Sequence, residues 1–221
     1  MRKQPLVTNQ YYHVYNRGVD KRDIFGDKND LYRFMESIIE FNQKDGVGSL
    51  ANLRKSKIEV RPLSKEPLIE IIAYCLNPNH FHFILKQVSE NGITKFMQRL
   101  QGGYTYYFNV KNSRSGSLFQ GKFKSHLIND ENYFNKLFGY VGHNYEIHDI
   151  PKEKMDLVFA SDFEYKNNNF KIVSREEGER ILEIFGGSDN FEKHCKEMVA
   201  MVRKERGKAS LLEEDNLPDR G

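Results

Sequence analysis

The chain of 221 residues has no tryptophan, two cysteines and six prolines. Cys75 and Cys195 stand far apart with no neighbouring thiol. They exclude a disulfide framework and a thiolate metal site, and read as reduced thiols in a cytoplasmic protein. No run of about eighteen apolar residues occurs, so no membrane-spanning helix is expected. Arg2 and Lys3 are followed by no apolar segment, so export is not expected either. Internal repeats and long low-complexity tracts are also missing.

What is present suffices for a core. Apolar residues make up 38% of the chain and aromatic residues 13%, enough for one substantial domain with an appendage. The net charge of +3 hides an asymmetry. Residues 1–145 carry 21 basic against 13 acidic side chains, a net +8, and residues 146–221 carry 13 against 18, a net −5. A basic body beside an acidic tail points to a polyanionic partner for the body.

The periodicities between residues 10 and 145 predict strand, helix, strand, strand, helix, strand, helix. Tyr11–Asn16 is rich in β-formers and ends at an Arg17-Gly18 turn. Asn29 or Asp30 can cap a helix whose apolar stripe is Leu31, Phe34, Met35, Ile38, Ile39 and Phe41. Residues 42–67 read as a long basic loop with Arg54, Lys55, Lys57, Arg61 and Lys65. Leu68–Leu76 is nearly continuously apolar, as a strand buried on both faces should be. Asn77-Pro78-Asn79 turns the chain into a partner strand, His80–Gln87. A helix is predicted from about Ile93 to Val110, a strand over Phe123–Asn129, and a helix running from Glu131 to Tyr145 with Asp130 as its cap. Two helices crossing a four-stranded antiparallel sheet make an α+β, ferredoxin-like fold, followed here by one more helix. The tail predicts amphipathic helices near 175–185 and 189–205, and its last fifteen residues read as disordered.

Three constellations carry chemistry. In a strand, His80 and His82 share one face while Phe81 and Phe83 take the other, so two imidazoles can chelate one divalent ion. Two surface histidines alternating by chance would look the same. Further on, Tyr140 and Asn144 are spaced four apart, one above the other on a helix. A tyrosine hydroxyl with a pKa near 10 attacks a phosphodiester only where a metal polarises the phosphate, and an amide oxygen one turn away could be a ligand of that metal. A helix-face aromatic packed in the core is the plain alternative, and Tyr133, two turns earlier, is a rival nucleophile. Finally, residues 86–124 hold Lys86, Lys95, Arg99, Lys111, Arg114, Lys122 and Lys124 against one acid, Glu90. Tyr104, Tyr106, Tyr107, Phe108, Phe119 and Phe123 are interleaved with them. Cations beside flat rings suit single-stranded nucleic acid, although Tyr104 and Phe108 could equally be core residues.

Four stretches, in order, cover most of residues 10–145: Tyr12-His13-Val14-Tyr15-Asn16-Arg17-Gly18, His80-Phe81-His82-Phe83-Ile84-Leu85, Gly116-Ser117-Leu118-Phe119-Gln120-Gly121-Lys122-Phe123-Lys124-Ser125 and Tyr140-Val141-Gly142-His143-Asn144. Together they resemble the HUH single-tyrosine transposases related to the IS200 type, most closely the REP-associated tyrosine transposases. The resemblance implies a ferredoxin-like sheet carrying the histidine pair, a nucleophilic tyrosine on the following helix, and a divalent metal, Mg2+ or Mn2+. Residue by residue, His80 and His82 match the metal-binding pair, Tyr140 the nucleophile and Asn144 the polar ligand four residues later. The family pattern usually continues with proline, where this chain has Tyr145, and Gly142 replaces a bulkier residue.

The expected activity is cleavage and rejoining of single-stranded DNA at hairpins through a 5′-phosphotyrosine. DNA contacts are expected at Arg17, Lys95, Arg99, Tyr104, Lys122 and Lys124, with the protein acting as a monomer or a homodimer. A non-catalytic nucleic-acid-binding module and a water-using metal phosphodiesterase are the rival classes. Residues 1–150 are expected to form the catalytic domain. Residues 151–221 are expected to form an acidic helical extension with a disordered end, regulatory or structural in role, that shields the basic face.

Overall fold

The computed structural model describes residues 5–45, 50, 66–148 and 150–208, the last four as backbone only. The cations expected in the basic loop, Arg54 to Lys65, and the chain end beyond 208 lie outside the described residues. The framework is β1 (Tyr11–Arg17), α1 (Lys28–Phe41), β2 (Ile69–Leu76), β3 (His80–Gln87), α2 (Gly92–Lys111) and β4 (Lys124–Ile128). Then come α3 (Glu131–Gly142), α4 (Asn144–Ile147), β5 (Phe159–Ala160), α5 (Asp162–Lys166), α6 (Arg175–Phe185) and α7 (Ser188–Lys208). The sheet order is β4-β1-β3-β2-β5, antiparallel throughout. Its first four strands have the ferredoxin-like arrangement expected from the sequence. The fifth strand was not expected: the extension adds it at the β2 edge, pairing with Cys75 and Leu76. Two residues are too few to show an alternating pattern.

The register sorts the strands into two faces. Val14 lies opposite Phe83, and Tyr15 opposite His82. Tyr12, Val14, Phe81 and Phe83 therefore share one face, where α1 and α2 pack. Phe34 of α1 meets Phe81 with centroids 5.6 Å apart, and Phe96 of α2 meets Phe83 at 6.4 Å. Helix α1 starts two or three residues before the sequence suggested, because Asp27 accepts the Asp30 N–H as its cap. Asp30 itself is buried and accepts from Gly26 N–H, the Tyr107 hydroxyl and Lys111.

The other face carries His13, Tyr15, His80 and His82, and is covered by α3 and the extension. Phe138 of α3 packs edge-on against Tyr165 and Phe191, at 5.2 and 5.3 Å. The β2–β3 register shifts between Ile71 and Ala73, and two β2 carbonyls there find partners outside that ladder. The extension takes them up: Tyr165 Oη donates to Ile72 O at 2.7 Å, and Ser174 N–H to Ile71 O at 2.8 Å. Two of its acids are buried anchors. Glu164 accepts from the Tyr74 hydroxyl at 2.6 Å and from the backbone of Lys171, Ile172 and Val173. Glu177 pairs with Lys86 at 2.7 Å and Arg180 at 2.6 Å. Burial pushes its carboxyl up, but those two cations outweigh burial and hold it below the ordinary range. The described part of the acidic tail thus completes the second layer of the core, rather than shielding the basic face.

Candidate active site on the histidine face

His80 and His82 are buried at 6% and 3% exposure, with rings 5.3 Å apart and perpendicular. Each is oriented through Nδ1. That of His80 lies 2.6 Å from Asn79 Oδ1, and Asn79 is itself fixed by donating to Lys21 O. An amide oxygen can only accept, so His80 Nδ1 carries a proton, which in the neutral ring leaves Nε2 as a lone pair. His82 Nδ1 lies 2.9 Å from His13 Nε2 on β1. Burial, then the nearby His82 and His126, hold the His13 pKa well below the usual imidazole value, so His13 is neutral. If His82 Nδ1–H donates to it, His82 Nε2 also faces the site as a lone pair. Tyr15 stacks between these rings, 4.9 Å from His13, 5.4 Å from His82 and 5.9 Å from His126.

Asp130 caps α3, accepting the Tyr133 N–H at 2.7 Å. Two turns on, the half-buried Tyr140 presents its ring to His82 edge to face, at 5.8 Å. Tyr133 packs against the core near the start of the helix, and burial raises its pKa, making it a poorer nucleophile. The sequence predicts one helix through Tyr145, but α3 stops at Gly142. His143 leaves helical geometry (φ −118°, ψ 25°), and Asn144 opens the short α4. Contacts from the extension hold this kink: Asp162 accepts the Tyr145 hydroxyl at 2.8 Å and lies 3.9 Å from His143 Nε2.

Asn144 still reaches the histidines. It is fully buried, with Oδ1 2.9 Å from His80 Nε2 and 2.8 Å from Asn77 Nδ2. Its own Nδ2 is buried without a partner among the described residues, an arrangement that costs about 1–3 kcal/mol. With His80 neutral, its Nε2 and Asn144 Oδ1 are two acceptors 2.9 Å apart, and Asn77 Nδ2 donates to both, at 2.9 and 2.8 Å. Neighbouring ligands of a hard divalent ion with bonds of about 2.1 Å lie about 3 Å apart. The donors therefore fit a divalent metal. His148, just past α4, joins them: ligand atoms of His80, His82 and His148 lie within 4.8 Å of one another.

The sequence-derived DNA contacts divide. Arg17 and Lys124, with Tyr15, Asn16, Gln120 and the two histidines, line a narrow cleft of about 20 Å³. Arg17 Nε donates to Gln120 Oε1 at 2.6 Å, and Lys124 Nζ lies 5.8 Å from the Tyr15 ring centroid. Lys122 is exposed in the turn entering β4. Lys95, Arg99 and Tyr104 belong to α2, on the opposite face. Tyr104 is a correction: it is fully buried against Phe34, and its hydroxyl donates to Ile24 O at 2.6 Å, so it is a core residue and no DNA contact. Arg99 donates to the carbonyls of Gln43 and Lys44, fastening the segment after α1. Lys86 and Lys111 stand in ion pairs with Glu70, Glu177, Asp27 and Asp30. Sequence reasoning missed His13, Asn77, Asn79 and His148. Only His148 left a signal, standing four residues beyond Asn144 as Asn144 stands beyond Tyr140.

Residues 6–144 match the profile of the family described as "Transposase IS200 like". No curated protein matches the chain. Among solved structures, a REP-associated tyrosine transposase bound to a REP hairpin is similar in fold, with a TM-score of 0.51 and 16% identity. The similarity covers 79% of this chain and 89% of that one.

Proposed function

Because the chain belongs to the IS200-like transposase family, we propose that it is a metal-dependent, HUH-type tyrosine nuclease and strand transferase acting on single-stranded DNA at hairpins. The observation that carries this reading is the meeting of Tyr140 with His82, and of Asn144 with His80, on one face of the sheet beside a basic cleft. His80, His82 and Asn144 would hold Mg2+ or Mn2+, which supplies positive charge to a scissile phosphate.

The residues of the chain do the rest. Arg17, Lys122 and Lys124 bind the phosphates, and Tyr15 offers a ring beside the cleft. The Tyr140 oxygen attacks phosphorus as the P–O3′ bond breaks. Its proton is lost, the departing oxygen ends as a 3′-OH, and the phosphate stays on Tyr140 as a 5′-phosphotyrosine. Attack by a 3′-OH reverses the step and joins strands, with no external energy needed. In this reading residues 1–150 carry the chemistry, and the described part of the extension, residues 151–208, supports the tyrosine helix from behind. The protein works in the cytoplasm as a monomer or homodimer. The hairpin partner is favoured by the bound hairpin of the similar transposase.

The test is a 3′-labelled hairpin oligonucleotide incubated with the protein and Mg2+ or Mn2+, then run on a denaturing gel. Wild type should carry label into the protein band, and Tyr140→Phe should lose it while still binding the hairpin. An adduct surviving in Tyr140→Phe would contradict the nucleophile. Cleavage without any adduct would favour a water-using phosphodiesterase, and binding alone a non-catalytic module.

A further inference from the structure

We infer that His148 is a third imidazole ligand of the metal held by His80 and His82, giving the site a preference for later transition ions such as Co2+ over Mg2+. This rests on the metal site of the proposed function and deepens it. Helix α4 is a single turn, and the His148 N–H closes it onto Asn144 O at 3.1 Å. Asn144 and His148 therefore project from one side of that turn. Asn144 points at His80, and the His148 ring follows it, 4.8 Å from the His80 ring and inclined at 70°.

The rest of α4 is held from other directions, which fixes the side that faces the histidines. Ile147 is buried in the core, Tyr145 is tied to Asp162, and Glu146 O accepts from Arg203. The turn thus presents its polar side to the pair. The resulting donor set has three imidazole nitrogens within 4.8 Å of one another, with the Asn144 amide oxygen against His80 Nε2. Imidazole nitrogen suits the later transition ions, from iron and cobalt to zinc, whereas magnesium and manganese favour carboxylate, carbonyl and water oxygen. A site with two histidines and one amide is balanced between these classes. A third histidine tips it toward the later transition ions.

The experiment is calorimetric titration of the full-length, chelator-stripped protein with Mg2+, Mn2+ and Co2+ in turn, together with the visible absorption of bound Co2+. Wild type should bind Co2+ more tightly than Mg2+ or Mn2+. His148→Ala should lose Co2+ affinity by at least the roughly tenfold that loss of even an indirect support of a metal site costs, with a smaller change for Mg2+ and an altered Co2+ spectrum. His148→Asp, which supplies oxygen instead, should shift the preference back toward Mg2+. His148 is only half-buried, so these variants should fold, and circular dichroism checks that they do. Co2+ affinity and spectrum unchanged in His148→Ala would overturn the inference. His82→Ala runs in parallel. If it loses metal binding while His148→Ala does not, the histidine pair stands and only the role of His148 falls. If neither variant changes metal binding, the metal site itself falls.

Discussion

The two faces of the sheet come from the same strands, one residue apart in register, and they are covered in opposite ways. Phe81 and Phe83 meet the two helices of the ferredoxin-like core, through aromatic contacts such as Phe34–Phe81 and Phe83–Phe96. His80 and His82, their direct neighbours, meet a tyrosine helix that is itself held by residues more than fifty positions further along, Phe191 and Met198. The first face is apolar and tolerant of small repacking. The second buries imidazoles, amides and carboxylates whose hydrogen bonds fix their direction. A sheet that must fold and also aim a nucleophile can separate the two tasks by side, and here the alternation of a single strand makes the separation.

If that contrast is right, removing the extension should have the largest effect. Truncation after residue 160 strips Tyr165, Phe170 and Phe191 from the histidine face. At about 1.5–3 kcal/mol for each large buried side chain, the loss rivals a typical total stability of about 5–15 kcal/mol. Thermal unfolding of the truncated protein should lose its cooperative transition, and cleavage should go with it. A truncated protein that melts cooperatively and still cleaves would make the extension dispensable.

A smaller effect probes the same contact. A Cβ on Gly139 would stand 2.8 Å from Met198 Cβ, whereas one on Gly142 meets only Ser161 Oγ at 3.7 Å. Gly139→Ala should therefore cost about 1–3 kcal/mol and lower the melting temperature, and Gly142→Ala should leave it unchanged or slightly raised. The reverse order would mean that α3 and α7 do not pack as described. The mildest test compares cations on the two faces. Lys124→Ala should weaken hairpin binding and reduce the salt slope by roughly 0.7 for one phosphate contact on a single strand. Lys95→Ala, on α2, should change neither. Equal losses from both would spread DNA across both faces.

The face built from local sequence was the legible one. Alternating His and Phe in β3, the stripe of α1 and the Asp130 cap each declare themselves within a few residues, although α1 begins earlier and α3 ends earlier than those patterns put them. The His80–His82 pair and the 140–144 spacing were legible for the same reason. What was hidden depends on distant partners. Tyr104 sits among aromatic and cationic residues in sequence, and only the packing of α2 on Phe34 shows it to be core. Glu164 and Glu177 read as tail charge, because nothing local says that Tyr74 and Lys86 await them. His13 reaches His82 through strand register, and the break of α3 at His143 depends on Asp162, nineteen positions away.

The most direct measurement is the identity of the residue that carries DNA after cleavage. Adduct formed from a hairpin oligonucleotide with Mn2+ would be digested with protease and nuclease, and the modified peptide sequenced by mass spectrometry. A nucleotide phosphate on Tyr140, absent when His80 is replaced by Ala, is the result expected if the histidine face carries the chemistry. The modification on Tyr133, or on Tyr140 with undiminished yield in His80→Ala, would contradict it.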